Sequence, residues 1–112
     1  MLEIETDQFK RCDLVKANGR IDSYTAPQLA EAFDAVNEAG RFNIVFDMGA
    51  VEYISSAGLR VMINTQKTCK RWNRGKVVLA DVPEQIHGAL SLAGFLPLFP
   101  IYDDVTGAVG SF

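Results

Sequence analysis

The sequence predicts a single α/β domain spanning residues 1–112: a mixed sheet of about five strands with three to four helices packed against it. Three observations predict it. The chain has 112 residues, enough for one compact core and too few for two ordinary domains. Hydrophobic residues make up 48 % and charged residues 22 %, the balance of a folded domain rather than a disordered one. Two short apolar runs, NIVFD and KVVLA, stand on either side of a helical stripe, and this strand–helix–strand order requires a crossover and parallel pairing.

The elements follow in chain order. Residues 2–6 alternate apolar and acidic side chains, and residues 13–21 (DLVKANGRI) supply a second extended run, so the two read as an antiparallel hairpin of half-exposed strands. From about Thr25 the period changes: Leu29, Phe33 and Val36 fall at steps of four and three, Pro27 suits a first helical turn, and Gly40 ends the helix. Residues 43–47 form the first buried strand, read as ending at Asp47. Leu59, Met62, Ile63 and Cys69 make the second helical stripe, which closes in RWNRG with basic last turns and Gly75 as the stop. Residues 76–80 give the next strand. A third helix starts near Pro83, aligns Ile86, Ala89, Leu90 and Ala93, and halts at Gly94. Residues 98–101 read as a last strand at the sheet edge, because Pro100 has no N–H to donate. The tail from Asp103 offers a short terminal helix, weakened by Gly107 and Gly110.

Composition also removes function classes. Eleven basic against fourteen acidic side chains give a net charge of −3, the wrong sign for a chain that grips nucleic-acid phosphates. The densest cationic stretch, Lys67, Lys70, Arg71, Arg74 and Lys76, reads as the solvated end of a helix. The N-terminus carries acids where a signal peptide needs bases, and no apolar run reaches the roughly 18–20 residues that span a bilayer. Cys12 and Cys69 lack metal-site or disulfide spacing and read as separate, largely buried thiols. Together these features place the chain in a reducing cytoplasm, without membrane insertion.

Catalytic patterns are missing. The one histidine, His87, has no spaced nucleophile or acid around it and reads as structural or superficial. There is no GxSxG elbow, HExxH or Walker loop, and the glycines at 19 and 58 build no dinucleotide cradle, so no cofactor is expected. Asp22 and Asp47 fall near expected strand ends, where carboxylates more often cap helices or turns, the other option being that the two approach each other.

In parallel sheets the working surface lies beyond the carboxyl ends of the strands, which points to residues 48–58. This segment reads as a loop leading from the buried strand to two serines at a helix start. Either Ser55 or Ser56 fits the N-cap, its hydroxyl meeting a free backbone N–H. Such a position also suits regulation: a helix N-terminus tolerates phosphate, which adds about −1.5 to −2 charges to a neutral surface. Gly49, Ala50, Ala57 and Gly58 are small enough for a partner to approach the backbone, and Arg60 offers a charged contact at the rim; close packing within the domain is the alternative use of the small residues.

At these residues the chain resembles the STAS domain family, and within it the single-domain bacterial anti-sigma-factor antagonists. Asp47 followed by Tyr53-Ile54-Ser55-Ser56-Ala57-Gly58-Leu59 is similar to the family's central signature, an aspartate, then aromatic-Ile-Asp-Ser-Ser-Gly-Leu. Gly19-Arg20-Ile21-Asp22 resembles its Gly-x-Leu/Ile-Asp element, and Leu92-Ala93-Gly94-Phe95 with Phe99-Pro100-Ile101-Tyr102 resembles its C-terminal part.

The resemblance implies a STAS-type domain that binds an anti-sigma factor, itself a serine kinase, and so frees a sigma factor. It implies Ser56 as the phosphoacceptor, Ser55 as a minor one, and a serine phosphatase that reverses the modification. Asp22 falls where the family has an acid that orients the serine or meets the kinase; its alternative use is a cap. Two departures stand out: Ser55 replaces an aspartate and Ala57 replaces a second serine. The family also contains interaction subunits of transporters and signalling assemblies that do not switch, and this is the alternative function. Nucleotide binding beside Asp47 has no phosphate-cradling loop to support it, and a monomer is expected when the chain is alone.

Overall fold

The computed structural model describes residues 1–112 as a five-stranded sheet with four helices. In chain order the elements are β1 (Leu2–Gln8), β2 (Asp13–Ile21), α1 (Ala26–Glu38), β3 (Ile44–Ile54), α2 (Ser56–Lys70), β4 (Val77–Ala80), α3 (Glu84–Leu92), β5 (Ile101–Tyr102) and α4 (Val105–Gly110). One-turn 3₁₀ segments follow α2 at Arg71–Asn73 and α3 at Leu96–Leu98. The predicted α/β order, the hairpin and the parallel crossover are all present.

Strand order in the sheet equals chain order, β1-β2-β3-β4-β5. β1 and β2 are antiparallel, whereas β2–β3, β3–β4 and β4–β5 are parallel. Three successive parallel crossovers that all advance the same way along a sheet, with one handedness, place α1, α2 and α3 on the same face. The main core shows it: Leu29, Phe33 and Val36 of α1, Leu59, Met62 and Cys69 of α2, and Ile86 and Leu90 of α3 share one buried cluster with Val15, Ile44, Phe46 and Leu79 of the strands. Phe33 and Phe46 meet edge-to-face at its centre, with ring centroids 5.2 Å apart. On the other face α4 covers a smaller cluster, Ala108 over Cys12, Val45, Val78 and Ala80.

Both ends of α1 obey local chemistry. Pro27 occupies its first turn, and Gly40, at φ 81, takes the left-handed conformation just past its end. Two polar side chains, the half-buried Arg41 and the buried Gln66, fasten the crossovers. Arg41 pairs with Asp13 and also donates to the carbonyls of Phe9 and Cys12, so the exit of α1 holds the β1–β2 turn. Gln66, buried in α2, accepts from the Val77 N–H and donates to the carbonyls of Val77 and Leu98, which ties α2 to β4 and to the segment before β5.

The structure corrects four boundary expectations. The first strand runs to Gln8. The strand expected to end at Asp47 continues to Ile54, so residues 48–54 are not a loop. They lack β4 as a neighbour, since β4 pairs only with Ile44–Asp47, but β2 stays paired as far as Ile54 across two irregularities, each of which shifts the register by one residue. The helix expected to reach Gly75 ends at Lys70, where the chain passes through Arg71–Asn73 with Trp72 and Asn73 at φ 62 and 56. The strand expected at 98–101 begins only at Ile101: Leu98 is still in the 3₁₀ turn, and Pro100 contributes just its carbonyl, which accepts from the Leu79 N–H.

Candidate functional site at the start of the second helix

The parallel strands β2 and β3 finish side by side, with Ile21 opposite Ile54. Directly after them come Asp22 on one chain segment and Ser55 on the other. The Ser55 N–H donates to the Ile21 carbonyl at 2.8 Å, so α2 starts where β2 ends. Ser55 is extended (φ −90, ψ 172) and its hydroxyl accepts from the Gly58 N–H at 3.3 Å. It is therefore the N-cap, which resolves the choice between the two serines.

Ser56 is the first residue of α2 and is exposed, and its hydroxyl makes no hydrogen bond within the fold. Arg60, one turn later and also exposed, shares its helix face. Ala57 is half-buried between them. Gly58 is buried: a β-carbon there would lie 2.5 Å from Cγ2 of Ile21 and 2.9 Å from Cγ1 of Ile54. Its missing side chain serves packing of α2 onto the strand ends, which corrects the expectation of a surface contact.

Asp22 builds the turn that enters α1. Its carboxylate accepts from the N–H groups of Tyr24 and Thr25 and from the Thr25 hydroxyl, while its own N–H donates to Thr25 Oγ1 at 2.8 Å. This reciprocal pair closes the turn over residues 22–25 that leads into α1, whose own N-cap is Thr25. The hydrogen bond from the Thr25 backbone, helped by Tyr24 and Arg20, holds the carboxyl below its ordinary range against a desolvation that pushes the other way.

The remaining expected residues are not gathered here. Gly49 and Ala50 lie four or five positions back along β3, on the order of 15 Å away. At Gly49 a β-carbon would fall 2.3 Å from the Asp81 carboxylate and 3.2 Å from that of Asp47, so this glycine makes room for two acids of the fold itself. Asp47 pairs in register with Lys16, five positions from the Ile21 end of β2, and does not approach Asp22.

Three residues that the sequence did not single out join the site. Arg20 and Tyr53 are register partners, with the guanidinium 4.4 Å from the ring centroid, and Tyr24 is 93 % exposed on the Asp22 turn. The surface at the ends of β2 and β3 thus presents an exposed, unengaged serine with Arg60 on its helix face, and beside it on the strand ends and the Asp22 turn the Arg20–Tyr53 pair and Tyr24, residue types that anchor protein interfaces. Tyr53 and Arg20 lie inside the two motif-like segments, as the aromatic and the variable position, whereas Tyr24 has no sequence signal beyond its nearness to Asp22.

The profile of the family described as STAS domain matches residues 3–108. The chain belongs to the STAS domain family. BtrV of Bordetella bronchiseptica, provisionally named an anti-sigma factor antagonist, is 32 % identical over 99 % of this chain and 95 % of its own length. The anti-sigma F factor antagonist of Paenibacillus polymyxa is 25 % identical over 96 % of this chain and 92 % of its own. Among solved structures, an anti-sigma factor antagonist from Mycobacterium paratuberculosis superposes with a TM-score of 0.86 at 25 % identity, covering 99 % of this STAS chain and 93 % of that one. Unphosphorylated SpoIIAA shares the fold at a TM-score of 0.81 and 11 % identity over 97 % and 95 % of the two chains. No helix of this STAS domain is long and apolar enough to cross a membrane.

Proposed function

We propose that this STAS domain is an anti-sigma-factor antagonist of the cytoplasm, a non-enzymatic switch. Its surface at the start of α2 binds an anti-sigma factor that is also an ATP-dependent serine kinase, and so frees a sigma factor. The kinase phosphorylates Ser56, the complex dissolves, and a serine phosphatase restores the binding form.

One observation carries the reading. Of two adjacent serines, Ser55 is occupied as the helix cap and Ser56 presents a free, exposed hydroxyl at the helix N-terminus. The names of the full-length relatives support it. A phosphate on Ser56 is tolerated by the domain, because the first backbone N–H groups of α2 and its macrodipole favour an anion there. The partner, by contrast, would have to desolvate about −1.5 to −2 added charges in an interface fitted to a neutral hydroxyl.

Incubation with the cognate kinase and ATP, followed by mass spectrometry, is expected to place phosphate on Ser56. Absence of phosphate under conditions where the two proteins form a complex overturns the switch. Ser56→Ala is expected to bind the anti-sigma factor as wild type does and Ser56→Glu to bind it more weakly. Equal affinities would remove charge from the mechanism.

A further inference from the structure

Charge is segregated along this chain. None of the fourteen acidic residues falls within residues 53–80, which hold six of the eleven basic ones. Five of the six gather at the C-terminal end of α2, the pole opposite Ser56. A helix of fifteen residues separates the two poles by about 22 Å.

Helix electrostatics accounts for some of these cations and leaves others. Lys67 and Lys70 complement the negative end of α2. Arg74 is held in place: it donates to the carbonyls of Arg71 and Thr68 and stacks on Phe42, 3.7 Å from the ring centroid. Lys67, Lys70, Arg71 and Lys76 meet no carboxylate, since the one ion pair of the fold is Arg41–Asp13.

Trp72, the sole tryptophan, stands among these cations and is 82 % exposed. It is not a loose side chain on a frayed end. The backbone beneath it is left-handed, a costly state for tryptophan, and is pinned on the far side by Arg74 and by the Gly75 N–H on the Cys69 carbonyl. Two depressions flank this turn and share Lys70. One, of about 390 Å³, has Ile63 and Leu98 in its lining beneath Lys67, Lys70 and Arg71. The other, of about 480 Å³, is polar and carries Lys70 and Lys76.

From this juxtaposition we infer that the C-terminal pole of α2 is a second docking surface, and that its occupant is an acidic protein segment with an apolar anchor. The anchor, a leucine or aromatic side chain, enters the groove over Ile63 and Leu98; flanking carboxylates meet Lys67, Lys70, Arg71 and Lys76; the indole of Trp72 closes over the segment. Concave grooves on either side of the Trp72 turn match discrete side chains better than the flat face of a bilayer. The two poles are far enough apart for this surface to be filled whatever the state of Ser56.

Selection of random peptides displayed on phage against the full chain tests the inference. Wild type is expected to enrich sequences that place Asp or Glu around a Leu or Phe, and K67E/K70E to lose them. A synthetic copy of an enriched peptide is expected to shift the Trp72 emission to the blue, with affinity falling at least about tenfold in K67E/K70E and on raising salt. Trp72→Gly fits the left-handed backbone, so it is expected to keep the fold and weaken the peptide, while Ser56→Glu leaves peptide affinity unchanged. The inference is overturned by enrichment of the same peptides on K67E/K70E, by enriched peptides that leave Trp72 emission unaltered, or by loss of binding in Ser56→Glu. A blue shift with phosphatidylglycerol vesicles and none with any peptide would assign the surface to lipid and overturn it equally.

Discussion

Replacing Ser55 and Ser56 by alanine, one at a time, separates the two roles that this structure assigns to neighbouring hydroxyls. Ser55→Ala removes the acceptor for the Gly58 N–H, and an N-cap of this kind contributes about 0.5–2 kcal/mol. The bond is long at 3.3 Å, which puts the expected loss in the lower part of that range, about 0.7 kcal/mol. For a chain of this length such a loss lowers Tm by about 3 °C. Ser56→Ala removes no hydrogen bond and places a better helix former in the first turn, so its stability is expected to stay within about 0.3 kcal/mol of wild type, on the stabilising side. Urea titration followed by far-ultraviolet circular dichroism reads both changes as midpoint shifts at constant slope. In the kinase assay the order reverses: Ser55→Ala still accepts phosphate and Ser56→Ala does not. Greater destabilisation by Ser56→Ala would mean that its hydroxyl is structurally engaged, and the division of labour would be wrong.

Other perturbations probe the supports of the site. Gln66→Leu leaves the Val77 N–H and two carbonyls without their partner in the core, and is expected to cost about 2–3 kcal/mol in the same titration; a neutral result would mean that the clamp between α2, β4 and the Leu98 turn is not formed. Gly58→Ala drives a methyl into Ile21 and Ile54, two stiff side chains, and is expected to lose about 1–2 kcal/mol despite the better helix propensity of alanine; stabilisation would show that α2 can lift from the strand ends. Asp22 has a folded-state pKa below its ordinary value, so its charge stabilises the fold above the unfolded pKa, near 3.9, and that contribution disappears as pH falls through the lower folded value. Wild type is therefore expected to exceed Asp22→Asn in stability at neutral pH and to converge with it in acid, and a gap independent of pH would refute the assignment. Cys12 and Cys69 are buried and their thiols are pushed up by desolvation, so a thiol reagent at neutral pH is expected to label neither until denaturant is added.

The sequence made the fold legible wherever burial repeats with a period. Leu29, Phe33 and Val36 marked α1, the NIVFD and KVVLA runs marked the two strands at the centre of the sheet, and residues 2–6 and 13–21 marked the hairpin. What it hid were features set by neighbours. Residues 48–54 contain Gly49 and Glu52 and show no clean alternation, because their extended state is imposed by pairing with β2 rather than by their own pattern. The left-handed turn at Trp72 and Asn73 carries none of the usual glycine signal, since Arg74 and Gly75 fix it through hydrogen bonds made at a distance. At the site, the paired serines and Asp22 were visible as a pattern, but which serine caps the helix depends on a single bond to Gly58. Arg20, Tyr24 and Tyr53 became part of the surface only when two strands ended together.

The bond from the Ser55 N–H to the Ile21 carbonyl joins the end of β2, the Asp22 turn and the first turn of α2 in one hydrogen-bonded platform. Ser56 stands on this platform with its hydroxyl outside the bonds that hold it together, so a modification there would break none of them. It would alter what the platform displays while leaving its shape alone, so repeated cycles of phosphorylation and hydrolysis would proceed without any refolding step. The rate at which such a switch responds would be set by the two enzymes that write and erase the mark, with no slow internal rearrangement of the antagonist between them.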